Sequence, residues 1–161
     1  MATASGPPPA PGAPAAPLTV AILAMAETTA STVYGLFDLF MSAGRDWPLV
    51  TTGSPGTSLF APRVVSRDGV PIRAANGVIL TPDLAFDACP PPALVCVPEI
   101  ALHPDHPIAG RFPAETAWLR QCHAGGSLLA TVCSGAVLLA EAGLLDGEDA
   151  TTHWAFCESL A

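Results

Sequence analysis

The chain has 161 residues, with 14 acidic and only six basic side chains, so its formal net charge is −8. Phosphate groups are bound by clustered Lys and Arg, and this composition therefore excludes a nucleic-acid surface formed by this chain alone. Half of the residues are apolar, yet no apolar run reaches the length of about 18 residues that a membrane-spanning helix needs. We expect a protein with a dense core, no membrane contact and a cytoplasmic location.

The first seventeen residues carry no charge and are rich in Pro, Ala and Gly. Such a segment cannot bury enough apolar surface to fold. We therefore predict a disordered tail over residues 1–17 and one domain over residues 18–161, because the remaining length suits a single ordinary domain.

The cysteine and histidine patterns do not indicate a metal or a disulfide framework. Five cysteines without a CxxC pair are typical of reduced thiols. The segment His103-Pro-Asp-His106 offers only two nitrogen ligands in a proline-bounded loop. We expect neither a metal nor a cofactor.

In chain order, the first half predicts a strand, a helix and less regular strands. Residues 18–24 are almost continuously apolar, which is typical of a buried strand, and residues 28–43 carry apolar side chains at helical spacing. Residues 47–52 are a further candidate strand. Residues 63–80 alternate on both sides of Asp68-Gly69, a pair that favours a hairpin turn.

The second half predicts a regular alternation of strand and helix. Residues 93–98 and 127–133 predict buried strands, and residues 114–123 and 134–145 predict helices. This order favours a doubly wound, mainly parallel α/β sheet of the flavodoxin-like kind, with sites beyond the carboxyl ends of its strands. No further strand follows the helix predicted near Trp154, so we expect the chain to be C-terminally truncated.

The segment Thr131-Val-Cys-Ser-Gly135 has the form of a nucleophile elbow. A nucleophile on a tight strand-to-helix turn is lifted above the sheet, and the following N–H groups point at the group that it attacks. Ser134 and Gly135 are small enough for such a turn, and the helix N-terminus favours a thiolate at Cys133. By spacing alone, the pattern is equally consistent with a buried, inert thiol.

Two further residues are candidates for this edge of the sheet. His153 follows the predicted helix by one loop, and an imidazole commonly takes the proton of a cysteine nucleophile. The alternative for His153 is a cap on the next helix or packing against Trp154. Glu27 follows the first strand, although the dipole of the first helix explains an acid there equally well.

Three stretches together resemble the ThiJ/PfpI superfamily: Ala130-Thr-Val-Cys-Ser-Gly-Ala136, Leu138-Leu-Ala-Glu-Ala-Gly-Leu-Leu-Asp-Gly147 and Ala150-Thr-Thr-His-Trp154. The resemblance covers about residues 18–161 and is strongest to the amidotransferase-like domains of GlxA-type AraC transcriptional regulators. It implies a class I glutamine amidotransferase-like fold, a nucleophilic cysteine at Cys133 and a partner histidine at His153.

Three departures from the family pattern bear on function. Thr32 stands where enzymatic members carry an acid that hydrogen-bonds the cysteine. Glu99 and Ile100 stand where enzymatic relatives often have glycines whose amides form an oxyanion pocket. A carboxylate there disfavours a developing anion unless it points away. The last strand and helix of the family domain, and the DNA-binding module of the regulators, do not follow in this chain.

These features predict a ligand- or redox-sensing regulatory domain of an AraC-type transcriptional regulator that lacks its DNA-binding module in this chain. The alternative is a stand-alone cysteine-dependent hydrolase or hydratase, similar to isonitrile hydratases, that uses Cys133 and His153. A third alternative is a chemically silent relative that supplies only an oligomer interface. We expect a homodimer and a small-molecule ligand or substrate. The candidate ligand-binding residues are Ser134, Gly135, Glu99, Ile100, Glu27 and Thr32.

Overall fold

A computed structural model describes residues 16–160, and residues 1–15 of the predicted tail lie outside this range. The main sheet has five parallel strands in the order β5-β2-β1-β6-β7, and β3 and β4 form a separate antiparallel pair. The prediction of a doubly wound, mainly parallel sheet is confirmed. The strands are β1 (Leu18–Leu23), β2 (Phe60–Ser66), β3 (Ile72–Arg73), β4 (Ile79–Leu80), β5 (Leu84–Ala85), β6 (Leu94–Val97) and β7 (Leu128–Thr131).

Helices cover both faces of the main sheet. Alternate residues of β1 divide between two buried clusters, because successive side chains of a strand point to opposite faces. Val20 and Ile22 pack with Val33 of the first helix, whereas Leu23 packs with Leu119 and other residues of later helices. The helices are α1 (Ala30–Ser42), α2 (Asp46–Thr52), α3 (Pro113–Ala124), α4 (Ala136–Glu141) and α5 (Cys157–Leu160), with 3-10 turns at Cys133–Gly135 and Trp154–Phe156.

The candidate strand at residues 47–52 is wrong, since this segment is α2. Asp46 lies in the first turn, where a carboxylate is favourable, and Pro48 lies where the helix needs no backbone donor. Gly53 ends the helix with a φ of 75° and donates its N–H to the carbonyl oxygen of Leu49. No residue of α2 is buried, so its apolar side chains do not belong to the core. Their pattern therefore did not indicate a buried strand.

The hairpin around Asp68-Gly69 is also wrong. One edge of β2 pairs with β1 and the other with β5, both in parallel, so no edge remains for an antiparallel partner. The antiparallel pair is β3 with β4, which places Ile72 opposite Leu80. Its turn contains Gly77, whose φ of 86° favours glycine.

The parallel arrangement brings the carboxyl ends of β1, β2, β6 and β7 to one edge of the sheet. The predicted helix over residues 134–145 follows β7, but α4 ends at Glu141 because Gly143 adopts a φ of 68°. The predicted site residues therefore lie on the connections that leave this edge.

Candidate functional site

Cys133 lies at a sharp turn between β7 and α4. Val132 is extended, whereas Cys133 has a φ of 57° and is the only non-glycine residue with a positive φ within residues 16–160. A bulky residue in this conformation costs about 1–3 kcal/mol, and such strain often occurs at functional sites. The thiol is exposed. The backbone therefore has the geometry of a nucleophile elbow.

Gly135 allows the elbow to pack closely against the end of β6. A Cβ atom at this position would lie 2.5 Å from the carbonyl oxygens of both Val97 and Pro98. Such a distance is shorter than any ordinary contact between carbon and oxygen. Glycine is thus required here by the close approach of two backbone segments.

Ser134 ties the elbow to the segment that follows β6. Its buried Oγ accepts a hydrogen bond from the N–H of Ile100 at 2.9 Å and donates one to the carbonyl oxygen of Ile100 at 3.0 Å. Both Ser134 and Ile100 are buried. Their contacts hold the elbow in place.

Three of the backbone amides after β6 are already engaged. The N–H of Ile100 donates to Ser134, that of Ala101 donates to the carbonyl oxygen of Glu27 at 2.7 Å, and that of Leu102 donates to the carbonyl oxygen of Ile100 at 2.9 Å. An oxyanion pocket needs donors that are free to meet the developing charge. These three amides do not meet that condition.

The carboxylate of Glu99 points to the start of α1. Its Oε1 accepts hydrogen bonds from the backbone N–H of Thr29, at 3.2 Å, and from the Thr29 hydroxyl. A carboxylate is favourable beside a helix N-terminus. The hydroxyl of Thr32 lies 3.3 Å from that of Thr29. Glu99 and Thr32 thus form one polar group at the beginning of α1.

His153 caps the short helical turn that it precedes. Its Nδ1 accepts a hydrogen bond from the N–H of Ala155 at 3.2 Å, and its ring centre lies 5.3 Å from that of Trp154. The same loop does return to the elbow, because the hydroxyl of Thr152 donates to the carbonyl oxygen of Cys133 at 3.3 Å. Among residues 16–160, no hydrogen bond joins the Cys133 sulfur to His153.

Glu27 lies on the connection that follows β1. Its Oε1 is 3.5 Å from a guanidinium nitrogen of Arg111. The two residues line a cavity of about 340 Å³ together with Arg67 and Glu115, which the sequence analysis did not single out. The only local signal for this group is that Arg67 directly follows β2. Its partners come from distant parts of the chain.

The other cysteines differ from Cys133 in their surroundings. Burial raises the pKa of Cys96 to about 11. Burial, with a smaller contribution from the neighbouring Cys89, also raises the pKa of Cys122 to about 11. In the part of the chain that the structure describes, no group of three or more His, Cys, Asp or Glu side chains could hold a metal ion.

The fold and the elbow define a flavodoxin-like α/β domain with a thiol at the carboxyl edge of its sheet. The family model described as the DJ-1/PfpI family matches residues 19–161. The chain belongs to this family, which confirms the resemblance to the ThiJ/PfpI superfamily.

Two relatives indicate the range of proteins that share this domain. The chain is 36% identical over 107 residues to the HTH-type transcriptional regulator CdhR of Pseudomonas aeruginosa, and this match covers 66% of the chain and 31% of CdhR. It is 34% identical over 101 residues to the isonitrile hydratase of Pseudomonas putida, and this match covers 60% of the chain and 41% of that enzyme. The chain therefore spans less than half the length of either relative.

A solved structure shares the fold. An AraC family transcriptional regulator from Pseudomonas putida superposes with a TM-score of 0.66 at 23% identity. The match covers 89% of this chain and 71% of the regulator chain. Transcriptional regulators therefore occur among the similar proteins both by sequence and by structure. Within residues 16–160, no helix is both long and apolar enough to span a bilayer.

Proposed function

We propose that this domain is the ligand- or redox-sensing part of an AraC-type transcriptional regulator, whose DNA-binding module lies outside this chain. One observation carries the proposal. The elbow at Cys133 is formed, yet the amide of Ile100 is bonded to Ser134, and His153 caps the following turn through Nδ1 without a hydrogen bond to the Cys133 sulfur among the described residues. The similarity to HTH-type regulators supports the same function.

Catalysis by a cysteine needs a base for the thiol and donors for the developing anion. The amide of Ile100 is bonded to Ser134, and Nδ1 of His153 is bonded to Ala155. The carboxylate of Glu99 accepts a hydrogen bond from the backbone N–H of Thr29 at the start of α1. A thiol in such surroundings can still be oxidised or can contact a ligand, because Cys133 is exposed.

The alternative is a cysteine-dependent hydratase or hydrolase. The strained backbone of Cys133 and the similarity to an isonitrile hydratase favour it. In this alternative, Cys133 attacks the substrate carbon and His153 moves the proton through Nε2, which remains free when Nδ1 accepts from Ala155. The developing anion would then be held by the backbone N–H groups that follow Cys133 at the elbow.

Turnover distinguishes the two functions. We expect the chain to hydrate an alkyl isonitrile, and to hydrolyse an activated ester, no faster than its Cys133→Ser variant. Cys157→Ser is the matched control, since Cys157 is also exposed but lies outside the elbow. Turnover that Cys133→Ser loses and Cys157→Ser retains would replace the sensor with the enzyme.

The gene itself provides an independent test. A regulator gene continues beyond the codon for Ala161 with two helix-turn-helix patterns rich in Lys and Arg. A gene without them would contradict the proposal. As part of such a regulator, the domain acts in the cytoplasm as a homodimer, and its partner is a small molecule.

A further inference from the structure

The cavity beside Glu27 combines opposite charges with an apolar wall. It lies where the chain leaves β1 and β2, against the beginning of α3, and its volume of about 340 Å³ suits a small ligand. Such a position, beyond the carboxyl ends of parallel strands, is where α/β proteins commonly bind ligands. We call it the charged cleft. Its lining includes the apolar Met25, Ile72 and Phe112 and the charged Glu27, Arg67, Asp68, Arg111 and Glu115.

Only one of the two carboxylate oxygens of Glu115 has a hydrogen-bond donor within residues 16–160. Its side chain is only 8% exposed, and its Oε1 lies 3.3 Å from a guanidinium nitrogen of Arg67. Its Oε2 is buried and has no hydrogen-bond partner among the described residues. An unpaired carboxylate oxygen in a buried position is unfavourable. The charged cleft therefore contains one oxygen that a donor from a ligand would satisfy.

The two arginines are donors that are only partly used. A guanidinium has five N–H donors. Among the described residues, the guanidinium of Arg67 makes a single hydrogen bond, to Glu115 at 3.3 Å, and that of Arg111 makes a single one, to Glu27 at 3.5 Å. Both side chains are substantially exposed. Each can therefore present a pair of N–H groups to a carboxylate, the geometry that guanidinium groups favour.

We propose that the charged cleft binds a small zwitterion, an α-amino acid with an apolar side chain. The carboxylate of the ligand accepts hydrogen bonds from the guanidinium of Arg67. The ammonium group of the ligand replaces Arg67 at Oε1 of Glu115 and also donates to the unpaired Oε2. The ligand thus exchanges partners with an existing ion pair. Its side chain lies against Met25, Ile72 and Phe112.

Simpler ligands leave this exchange incomplete. A carboxylate without an amine would withdraw Arg67 from Glu115 and leave a buried carboxylate without a counterion. Its charge would also meet the three carboxylates of Glu27, Asp68 and Glu115. An amine without a carboxylate would displace Arg67 and offer it no new partner. Only a ligand with both an ammonium group and a carboxylate offers new partners to both Glu115 and Arg67.

This inference names the ligand class that the proposed sensing function leaves open, and it rests on that function only for its regulatory meaning. Binding at the charged cleft does not require Cys133, so it is measured without any turnover or DNA. Failure of amino-acid binding would overturn the inference and leave the turnover and gene tests of the proposed function unaffected.

Isothermal titration calorimetry with L-leucine tests the inference. Two matched probes each lack one group: 3-methylbutylamine has no carboxylate, and 4-methylpentanoate has no amine. We expect L-leucine to bind and each matched probe to bind at least about tenfold more weakly. No binding of L-leucine, or equal binding of either matched probe, would overturn the proposal.

Variants place the binding in the charged cleft. Arg67→Gln and Glu115→Gln are expected to weaken L-leucine binding at least about tenfold, because each removes one side of the exchange. Arg45→Gln is the matched control, since Arg45 pairs with Asp46 far along the chain from the cleft. If Glu115→Gln fails to fold, the exposed Arg67 decides the outcome. Unchanged affinity in Arg67→Gln would contradict the proposal.

Discussion

The two halves of the carboxyl edge of the sheet differ in how their polar groups are used. On the side of β6 and β7, the Ile100 amide and the Ser134 hydroxyl are paired and Gly135 touches the neighbouring backbone, while Oε2 of Glu99 is buried without a hydrogen-bond partner among the described residues. On the side of β1 and β2, the charged cleft likewise has an unpaired carboxylate oxygen, but it also has two exposed guanidinium groups that are only partly used. The same edge thus presents a rigid thiol and, separately, an adaptable polar cavity. This division suits sensing better than catalysis.

On the side of β6 and β7, we expect Gly135→Ala to lower the stability of the protein most. The added methyl group would meet two carbonyl oxygens of the segment after β6, and we expect a loss of about 3 kcal/mol or more in the free energy of unfolding. Gly35→Ala is the matched control within α1, where no atom lies within 4 Å of the new Cβ. It should stabilise the protein by about 1 kcal/mol. Urea unfolding measures both, and equal effects would contradict the close packing of the elbow.

Thiol labelling compares the elbow with the core. We expect iodoacetamide at pH 7 to modify Cys133 faster than the other four cysteines, because Cys133 is exposed at the elbow. Cys96 and Cys122 should react slowest, since burial raises the pKa of each to about 11 and each unit lowers the thiolate fraction tenfold. Peptide mass spectrometry gives the rates. Equal or slower labelling of Cys133 in the folded protein would exclude a reactive thiol.

The buried thiol of Cys96 also predicts a pH dependence. Its pKa in the folded protein is about 11, above the ordinary value of 9.0, so the folded state favours the neutral thiol. This contribution to the free energy of unfolding is present below about pH 9 and is lost as the pH rises through about 11, with a decrease of roughly 3 kcal/mol. Urea unfolding across this range measures the decrease. Cys96→Ala should reduce it, and an unchanged slope in Cys96→Ala would refute the assignment.

A smaller effect is expected from Ser134→Ala. This change leaves the buried N–H and carbonyl groups of Ile100 without their partner, which costs about 1–2 kcal/mol. Ser42→Ala removes a hydrogen bond of similar length to Leu39 in an exposed position and should change stability little. Thermal unfolding distinguishes them. If the two variants melt alike, Ser134 does not hold the elbow.

Sequence patterns predicted the parts of the fold that depend on burial. The apolar runs that became β1 and β6 are each flanked by two parallel neighbours. The prediction of a buried strand over residues 127–133 is right for the strand but wrong for its burial, because β7 lies at the edge of the sheet and Leu128 is 72% exposed. The segment of α2 was misread because its apolar side chains face solvent, as Trp47 does at 75% exposure. The apolar pattern there was not a signal of packing.

The site was predictable only where it is local in sequence. The elbow is encoded within residues 131–135, so the turn at Cys133 could be inferred directly. The direction of Glu99 could not, because it depends on a hydrogen bond to Thr29 across 70 positions. The charged cleft was missed for the same reason, since Arg67 and Glu115 lie 48 positions apart.

The left-handed backbone of Cys133 implies that the protein gives up some stability to keep a thiol at this position. Glycine adopts this conformation without the steric penalty that a cysteine side chain meets. The turn would therefore tolerate Cys133→Gly, and relief of the strain would offset part of the entropy that glycine adds to the unfolded chain. A thiol at this position is thus not what the architecture needs. The protein carries it at the expense of folding, as expected for a side chain whose value lies in its reactivity.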